Sequence, residues 1–277
     1  MSRAARRGFT LLELIVVVAI LVALAGLIVT KLDIFQNKAE KASAAIQCRD
    51  MNRMIQVFRG TTNLYPDRWD SLVDRTGGTP VLKQPQLPGG LPGLDPGLVG
   101  GLPTGASTKL ALLPAALTAG QARSLNRIGI TTVLDHDGVL TPTTNYGNGF
   151  SLSNAIDGAA DDVFATINAA DSSGQRILNA IYPTLPIPPA TTPVVTVPSD
   201  RILVVFGLGR YCTLVGSNLQ SSNLTEAPVY PYESNQYYDR YLAVFEAYNS
   251  GGAARLVIVL GADGDVPGDE IANFNKN

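Results

Sequence analysis

An apolar segment near the N-terminus constrains this chain more than any other feature. No charged or strongly polar side chain occurs from Leu14 to Val29, and residues 1–8 carry three arginines and no acid. As an α-helix, residues 9–29 would be about 31 Å long at 1.5 Å per residue, close to the roughly 30 Å hydrocarbon core of a bilayer. Positive charge marks the cytoplasmic flank of a membrane span. The sequence therefore predicts a transmembrane helix over residues 9–30 with its N-terminus in the cytoplasm.

One carboxylate, Glu13, lies inside this predicted helix. A secretory signal cleaved before Gly26, a twin-arginine signal at Arg6-Arg7 or a plain membrane anchor would each account for the apolar segment. None of them accounts for Glu13, because an ionised carboxylate in an apolar helix costs about 2.5–3.5 kcal/mol on insertion scales. A carboxylate kept there indicates a charged partner.

The residues around Glu13, Arg7-Gly8-Phe9-Thr10-Leu11-Leu12-Glu13, resemble the processing site of type IV prepilins and type II secretion pseudopilins. The resemblance implies that a prepilin peptidase removes the leader, residues 1–8, by cutting between Gly8 and Phe9. It also implies methylation of Phe9 to N-methylphenylalanine. Glu13 would pair with the N-terminal amine of a neighbouring subunit when the apolar helices bundle in a filament.

The same resemblance implies where the protein works and with what. It would be a single-pass inner-membrane protein whose head lies in the periplasm, or outside the cell once it is assembled. Its partners would be the prepilin peptidase, an inner-membrane assembly platform, and copies of itself or other pilin-like subunits.

Beyond the apolar segment the helix is predicted to continue as an amphipathic half, residues 31–60. No Pro or Gly interrupts the chain from Lys31 to Arg59, and Gly60 follows as a stop signal. Apolar side chains recur at steps of three or four, as in a helix laid on a core: Ala42, Ala45, Cys48, Met51, Ile55 and Phe58. A second, short helix is predicted over residues 65–73, with Trp69 in the core.

The rest of the chain, residues 61–277, is predicted to be a globular head. Residues 77–105 and 183–198 are rich in Gly and Pro and predict long loops. Short helices are expected within 106–130 and 159–181, and residues 131–150 read as turns. Three strands follow, Arg201–Phe206, Arg240–Tyr248 and Leu256–Leu260, the last two forming an antiparallel hairpin. The fold class is therefore α+β, with a long helix packed on a C-terminal antiparallel sheet as in pilin-like proteins and a large loop-rich insertion.

Nothing in the sequence forms a catalytic constellation. The single His, His136, lies in Asp135-His136-Asp137-Gly138, which reads as a polar turn, and no Gly-x-Ser-x-Gly elbow or Gly-Lys-Ser/Thr phosphate loop occurs. A formal net charge of −2 argues against a general nucleic-acid binder, which is usually basic. The sequence predicts a non-enzymatic protein.

An acidic segment follows the last predicted strand. It carries Asp263, Asp265, Asp269 and Glu270, and Ca²⁺ favours such clusters of oxygen ligands. The segment departs from an EF-hand, since Pro267 replaces an acid and Phe274 stands in place of the bidentate Glu. It is similar to the C-terminal calcium loop of the major type II secretion pseudopilin, although the spacing is shorter. Calcium binding at these four residues and a solvated acidic turn both remain open.

The two cysteines, Cys48 and Cys212, are both expected in an exported head, where disulfides persist. A disulfide between them and two buried thiols are both compatible with the sequence. The predicted function is a structural subunit of a type II secretion pseudopilus or a type IV pilus-like filament. The alternative is an exported or membrane-anchored binding protein that uses residues 77–198.

Overall fold

The structure is a computed structural model that describes residues 11–74, 81–82, 112–136, 150–158, 163–183, 194–209, 211–216, 224–228, 240–262, 264 and 266. Within the first helix, the side chains of residues 27–38, 40 and 41 lie outside this description. The predicted loops at 77–105 and 183–198 fall mostly outside the described residues. The fold class is α+β: an N-terminal helix accompanies a mainly antiparallel sheet.

The long N-terminal helix, α1, extends from Leu11 to Thr62, which confirms the prediction of one continuous helix. Gly60 lies inside the last turn instead of ending the helix. The helix ends directly before Asn63, whose φ is 59° and whose N–H donates to the Arg59 carbonyl at 2.8 Å. Asn tolerates this left-handed conformation after a helix better than most residues do.

The remaining elements follow in chain order: β1 (Trp69–Asp70), β2 (Val73–Asp74), β3 (Val81–Leu82), β4 (Leu112–Ala116), α2 (Ala119–Asn126), β5 (Thr132–His136), β6 (Phe150–Ala155), β7 (Val163–Ile167), α3 (Ser172–Ile181), β8 (Arg201–Gly207), β9 (Leu242–Tyr248) and β10 (Arg255–Leu260). Eight strands form one sheet whose main order is β10-β9-β8-β1-β5-β6, with β7 joining β8 to β4. Among the described strand pairs, β1 and β5 alone are parallel. The three C-terminal strands and their hairpin are confirmed.

The described part of the middle of the chain is built into the sheet. Residues 112–167 supply β4 to β7, so the expectation of turns at 131–150 was wrong at its start, where Asp135 and His136 pair with β6. Residues 65–73 form no helix either. Trp69 and Asp70 extend between β5 and β8, and Trp69, which is fully buried, donates from its indole N–H to the Pro66 carbonyl at 2.6 Å.

Helices cover the two faces of the sheet, and the alternation of side chains along the strands explains how. On β8 and β9, Val204, Phe206, Ala243 and Phe245 share a core with the head half of α1 and with α2. The intervening Leu203, Val205, Leu242 and Val244 share a second core with α3. Successive strand residues point to opposite faces, so each strand serves both cores.

Gly120 is predicted to be essential for seating α2 on the turn between β9 and β10. A Cβ at this position would overlap the carbonyl oxygen of Asn249 and lie 2.8 Å from its carbon. Gly120→Ala should therefore cost about 1–3 kcal/mol through overpacking, although alanine favours helices by about 1 kcal/mol. Thermal unfolding followed by the fluorescence of Trp69, the single Trp, measures the effect.

Gly60→Ala is the matched control, because Gly60 is also helical and a Cβ there meets nothing within 4 Å. This variant should be as stable as the original chain or slightly more so. Equal melting temperatures for the two alanine variants would contradict the proposed seat of α2.

Candidate functional site

The first part of α1, residues 11–26, exposes apolar side chains on every side. All residues from 11 to 26 are exposed, including Leu11 at 76% and Val16 at 48% of their accessible surface. The head half of the same helix differs, because Cys48, Met51 and Ile55 are buried against the sheet. A helix that is apolar all round is normally surrounded by other apolar groups. This exposed half, residues 11–26, forms the candidate site.

Glu13 is the single ionisable group on this exposed half. It lies in the first turn of α1, where the helix dipole favours negative charge, and it is exposed. Leu11, Leu12 and Leu14 next to it are each at least 60% exposed. Any partner that covers these leucines must also accommodate the carboxylate. Gly8 and Phe9, the residues of the predicted cleavage site, lie outside the described residues.

In the described part of the chain, no helix has the length and hydropathy needed to cross a bilayer.

The predicted calcium ligands Asp263, Asp265, Asp269 and Glu270 all lie outside the described residues. Their neighbours Ala262, Gly264 and Val266 are described and buried. Arg176 of α3 donates from Nη2 to the Gly264 carbonyl at 3.2 Å, so a guanidinium reaches the backbone of the acidic segment. Within the described residues, no group of three or more His, Cys, Asp or Glu side chains could hold a metal ion.

Cys48 and Cys212 both lie in the core that α1 shares with the sheet. The structure holds them as buried thiols with no bond between them, so the disulfide stays a prediction. Burial raises the pKa of the Cys212 thiol far above its usual value, and the nearby Asp70 and Asp67 carboxylates raise it further. Such a thiol stays protonated and unreactive while the head is folded.

Sequence analysis missed a buried ionic cluster around Glu246, here called the Glu246 cluster. Glu246 is fully buried on β9, and both of its carboxylate oxygens accept hydrogen bonds. Oε1 accepts from Tyr182 and, at 2.9 Å, from Nη1 of Arg201. Oε2 accepts from Arg255 and, at 2.9 Å, from the Tyr248 hydroxyl. The four donors come from the end of α3 and from β8, β9 and β10, so this carboxylate ties helix and sheet together.

These four hydrogen bonds fix the charge of Glu246. Burial on its own would raise the pKa of the carboxyl group, but the hydrogen bonds from the tyrosines and arginines outweigh it and lower the pKa from 4.5 to about 2. The pKa of Tyr182 moves the other way, raised by burial and by its bond to the carboxylate. A signal for the cluster exists in the sequence, since Glu246 interrupts the apolar strand Leu242–Tyr248. Two of its partners, Tyr182 and Arg201, are 64 and 45 residues away in the chain and could not be assigned from the sequence.

Comparison with known proteins supports the N-terminal motif. Residues 3–29 match the family model of the prokaryotic N-terminal methylation motif, the signature of type IV prepilins and pseudopilins. No curated protein and no solved structure matches the chain.

Proposed function

We propose that this chain, which carries the type IV prepilin and pseudopilin signature, is a structural subunit of a type II secretion pseudopilus or a type IV pilus-like filament. The single observation that carries the proposal is the exposed apolar half of α1, residues 11–26, which lies within the methylation motif. Its apolar surface needs surroundings of lipid before assembly and of neighbouring helices afterwards. The precursor is then anchored in the inner membrane by residues 9–30, with the head on the far side.

Assembly requires an account of Glu13. When the exposed halves bundle, its carboxylate leaves water, and it gains most from a positive charge in the same dry interior. Cleavage after Gly8 creates such a charge at the amine of Phe9, four residues before Glu13. A neighbouring subunit displaced along the filament axis presents this amine to the carboxylate. Cleavage of the leader thereby creates the positive charge that assembly requires.

The mature N-terminus tests this proposal. Mass spectrometry of the protein co-expressed with a prepilin peptidase should give an N-terminal peptide that begins with methylated Phe9. Omitting the peptidase is the control and should leave Met1–Gly8 attached. A mature chain that begins at Gly26 would instead indicate ordinary secretion and refute the filament proposal.

The choice between pseudopilus and pilus depends on the rest of the system. The acidic segment and its similarity to the major pseudopilin favour the pseudopilus. A neighbouring gene for an outer-membrane secretin that belongs to a secretion system would support that choice. The alternative function is an exported binding protein that uses residues 77–198; the described part of 112–167 builds β4 to β7 and α2, and no observation favours this alternative over the filament subunit.

Calcium binding by Asp263, Asp265, Asp269 and Glu270 remains part of the proposal. Bound Ca²⁺ should raise the melting temperature by a few degrees, because a ligand that binds the folded state stabilises it. Asp263→Ala should remove the increase, whereas Glu226→Ala, at an exposed acid elsewhere, should retain it. An unchanged melting temperature of the original chain in excess Ca²⁺ would argue that this segment binds no calcium. The Arg176 guanidinium would then be the positive charge that stabilises it.

A further inference from the structure

The outward side of α1 within the head carries a row of four exposed side chains. They are Ile46, Asp50, Arg53 and Val57, and we call them the outer seam. Ile46 and Val57 expose 58% and 40% of their accessible surface. Steps of four, three and four residues keep all four side chains on one face of the helix. Two helices that pack along each other in a coiled coil meet through residues of this spacing.

The sheet of the head lies against the other side of the same turns. Cys48, Met51 and Ile55 alternate with the outer seam along the chain and are buried in the core. The outer seam is therefore the side of α1 that is open to a second helix. Because α1 is one helix from Leu11 to Thr62, parallel copies that bundle through residues 11–26 also run beside each other farther along.

The charges at the middle of the outer seam make the contact between two parallel copies sensitive to their register. Asp50 and Arg53 are both exposed, and neither forms an ion pair with another described residue. In two copies at the same height, Asp50 would face Asp50 and Arg53 would face Arg53, which is repulsive. A displacement of three residues, about 4.5 Å at 1.5 Å per residue, brings Asp50 of one copy level with Arg53 of the other.

The pairing proposed for Glu13 requires nearly the same displacement. The Phe9 amine of one copy reaches the Glu13 carboxylate of the next when the two are displaced by four residues, about 6 Å along the helix. The direction is also the same, since in both pairs the copy closer to the head end contributes the residue with the lower number. The two displacements differ by about 1.5 Å, a distance that the flexible side chain of Arg53 spans. One arrangement of neighbouring copies therefore satisfies both pairs.

We propose that the outer seam docks against the outer seam of a second copy, parallel and displaced by three to four residues, so that Asp50 of one copy pairs with Arg53 of the other. The proposal rests on the proposed filament function. The contact is heterologous and leaves Arg53 of one copy and Asp50 of the other open to further copies, as a helical filament requires.

The apolar residues of the outer seam strengthen this ion pair. Val57 of the copy that contributes Arg53 lies on one side of the pair, and Ile46 of the copy that contributes Asp50 lies on the other. Helices in contact are about 8–10 Å apart, so these side chains exclude water from the pair. Attraction between opposite charges is larger in such surroundings than at an exposed surface.

Exchange of the two charges in the full chain tests the docking. Asp50→Arg and, separately, Arg53→Asp should each lower the yield of sheared filaments at least fivefold, because like charges then meet at the seam. The double variant that carries both substitutions restores opposite charges and should recover most of the yield. Glu226→Arg and Arg68→Asp make the same changes of net charge at exposed positions outside α1, and these controls should assemble normally. Melting curves recorded by Trp69 fluorescence show whether each variant is folded.

Cross-linking measures the geometry of the contact. Filaments that carry both Asp50→Cys and Arg53→Cys should give a ladder of linked chains with a short bismaleimide, because each copy joins one neighbour through each cysteine. Either single substitution should give dimers at most. The natural Cys48 and Cys212 are buried, so the original chain is the control and should stay monomeric.

Several outcomes would overturn the docking. They are normal assembly of both single charge variants, failure of the folded double charge variant to recover, and absence of the cross-linked ladder from filaments of the double cysteine variant. An equal loss of yield in Glu226→Arg or Arg68→Asp would show only a net-charge effect and would also overturn it. Failure of the proposed function is distinct, because the original chain would then form no filaments or lack methylated Phe9.

Discussion

Glu13→Val is expected to abolish filament assembly while the precursor is still inserted and processed. In the filament interior the amine of a neighbouring Phe9 would lose its counter-charge, and an uncompensated buried charge costs about 3–5 kcal/mol. At 1.4 kcal/mol per tenfold change, each subunit addition would weaken by about 100-fold to several thousand-fold. The measurement is the sheared filament fraction, with mass spectrometry of the cell-bound protein for methylated Phe9. Glu13→Ala should behave in the same way.

Three controls separate charge from shape at this position. Leu14→Val changes a neighbouring side chain that is 60% exposed, and it should assemble normally. Glu13→Gln keeps the size of the side chain without its charge and should fail like the valine variant, whereas Glu13→Asp should retain part of the yield. Filaments of normal length and number from Glu13→Val would refute the pairing.

The long N-terminal helix was predictable because its signals are local. The apolar residues of α1, the absence of Pro and Gly from Lys31 to Arg59, and the spacing of Ala45, Cys48 and Ile55 depend only on neighbours within a few turns. The methylation motif is equally local, since a peptidase reads contiguous residues. For this reason the helix and the candidate site on it follow from the order of the amino acids alone.

The middle of the chain was less predictable because its strands are defined by distant partners. Trp69–Asp70 is too short for any periodicity, and its extended form depends on pairing with Val133 and Gly207. The helix expected there rested on a Pro and three apolar residues, which a buried strand satisfies equally well. The register of β4 with β7 and the contacts of Glu246 with Tyr182 and Arg201 likewise join segments far apart in the sequence. The residue pattern within one segment does not reveal which distant segment it pairs with.

Replacing Glu246 should produce the largest loss of head stability of any single polar substitution considered. Glu246→Leu would leave two tyrosine hydroxyls, the Arg255 guanidinium and Nη1 of Arg201 without their acceptor, while Arg201 keeps Asp200, at a cost of about 3–5 kcal/mol. Glu246→Gln keeps the shape of the side chain, but its amide NH₂ group would face the N–H and O–H donors of the arginines and tyrosines. This variant should lose about 3 kcal/mol of unfolding free energy. Urea unfolding of the detergent-solubilised chain, followed by Trp69 fluorescence, measures both. Glu226→Gln, at an exposed carboxylate, is the matched control and should change stability by less than about 0.5 kcal/mol.

The pH dependence of unfolding separates the charge of Glu246 from its packing. Its pKa is lowered from 4.5 to about 2 by the fold, so the unfolded chain binds a proton first as the pH falls. The stabilisation is complete above about pH 4.5 and is lost between that pH and about pH 2. Tyr182 and Tyr248, whose pKa values burial and Glu246 raise, add a loss above about pH 10 for the opposite reason. Glu246→Gln should flatten the acid limb relative to Glu226→Gln, and an acid limb equally steep in both variants would show that Glu246 stabilises the head by packing alone.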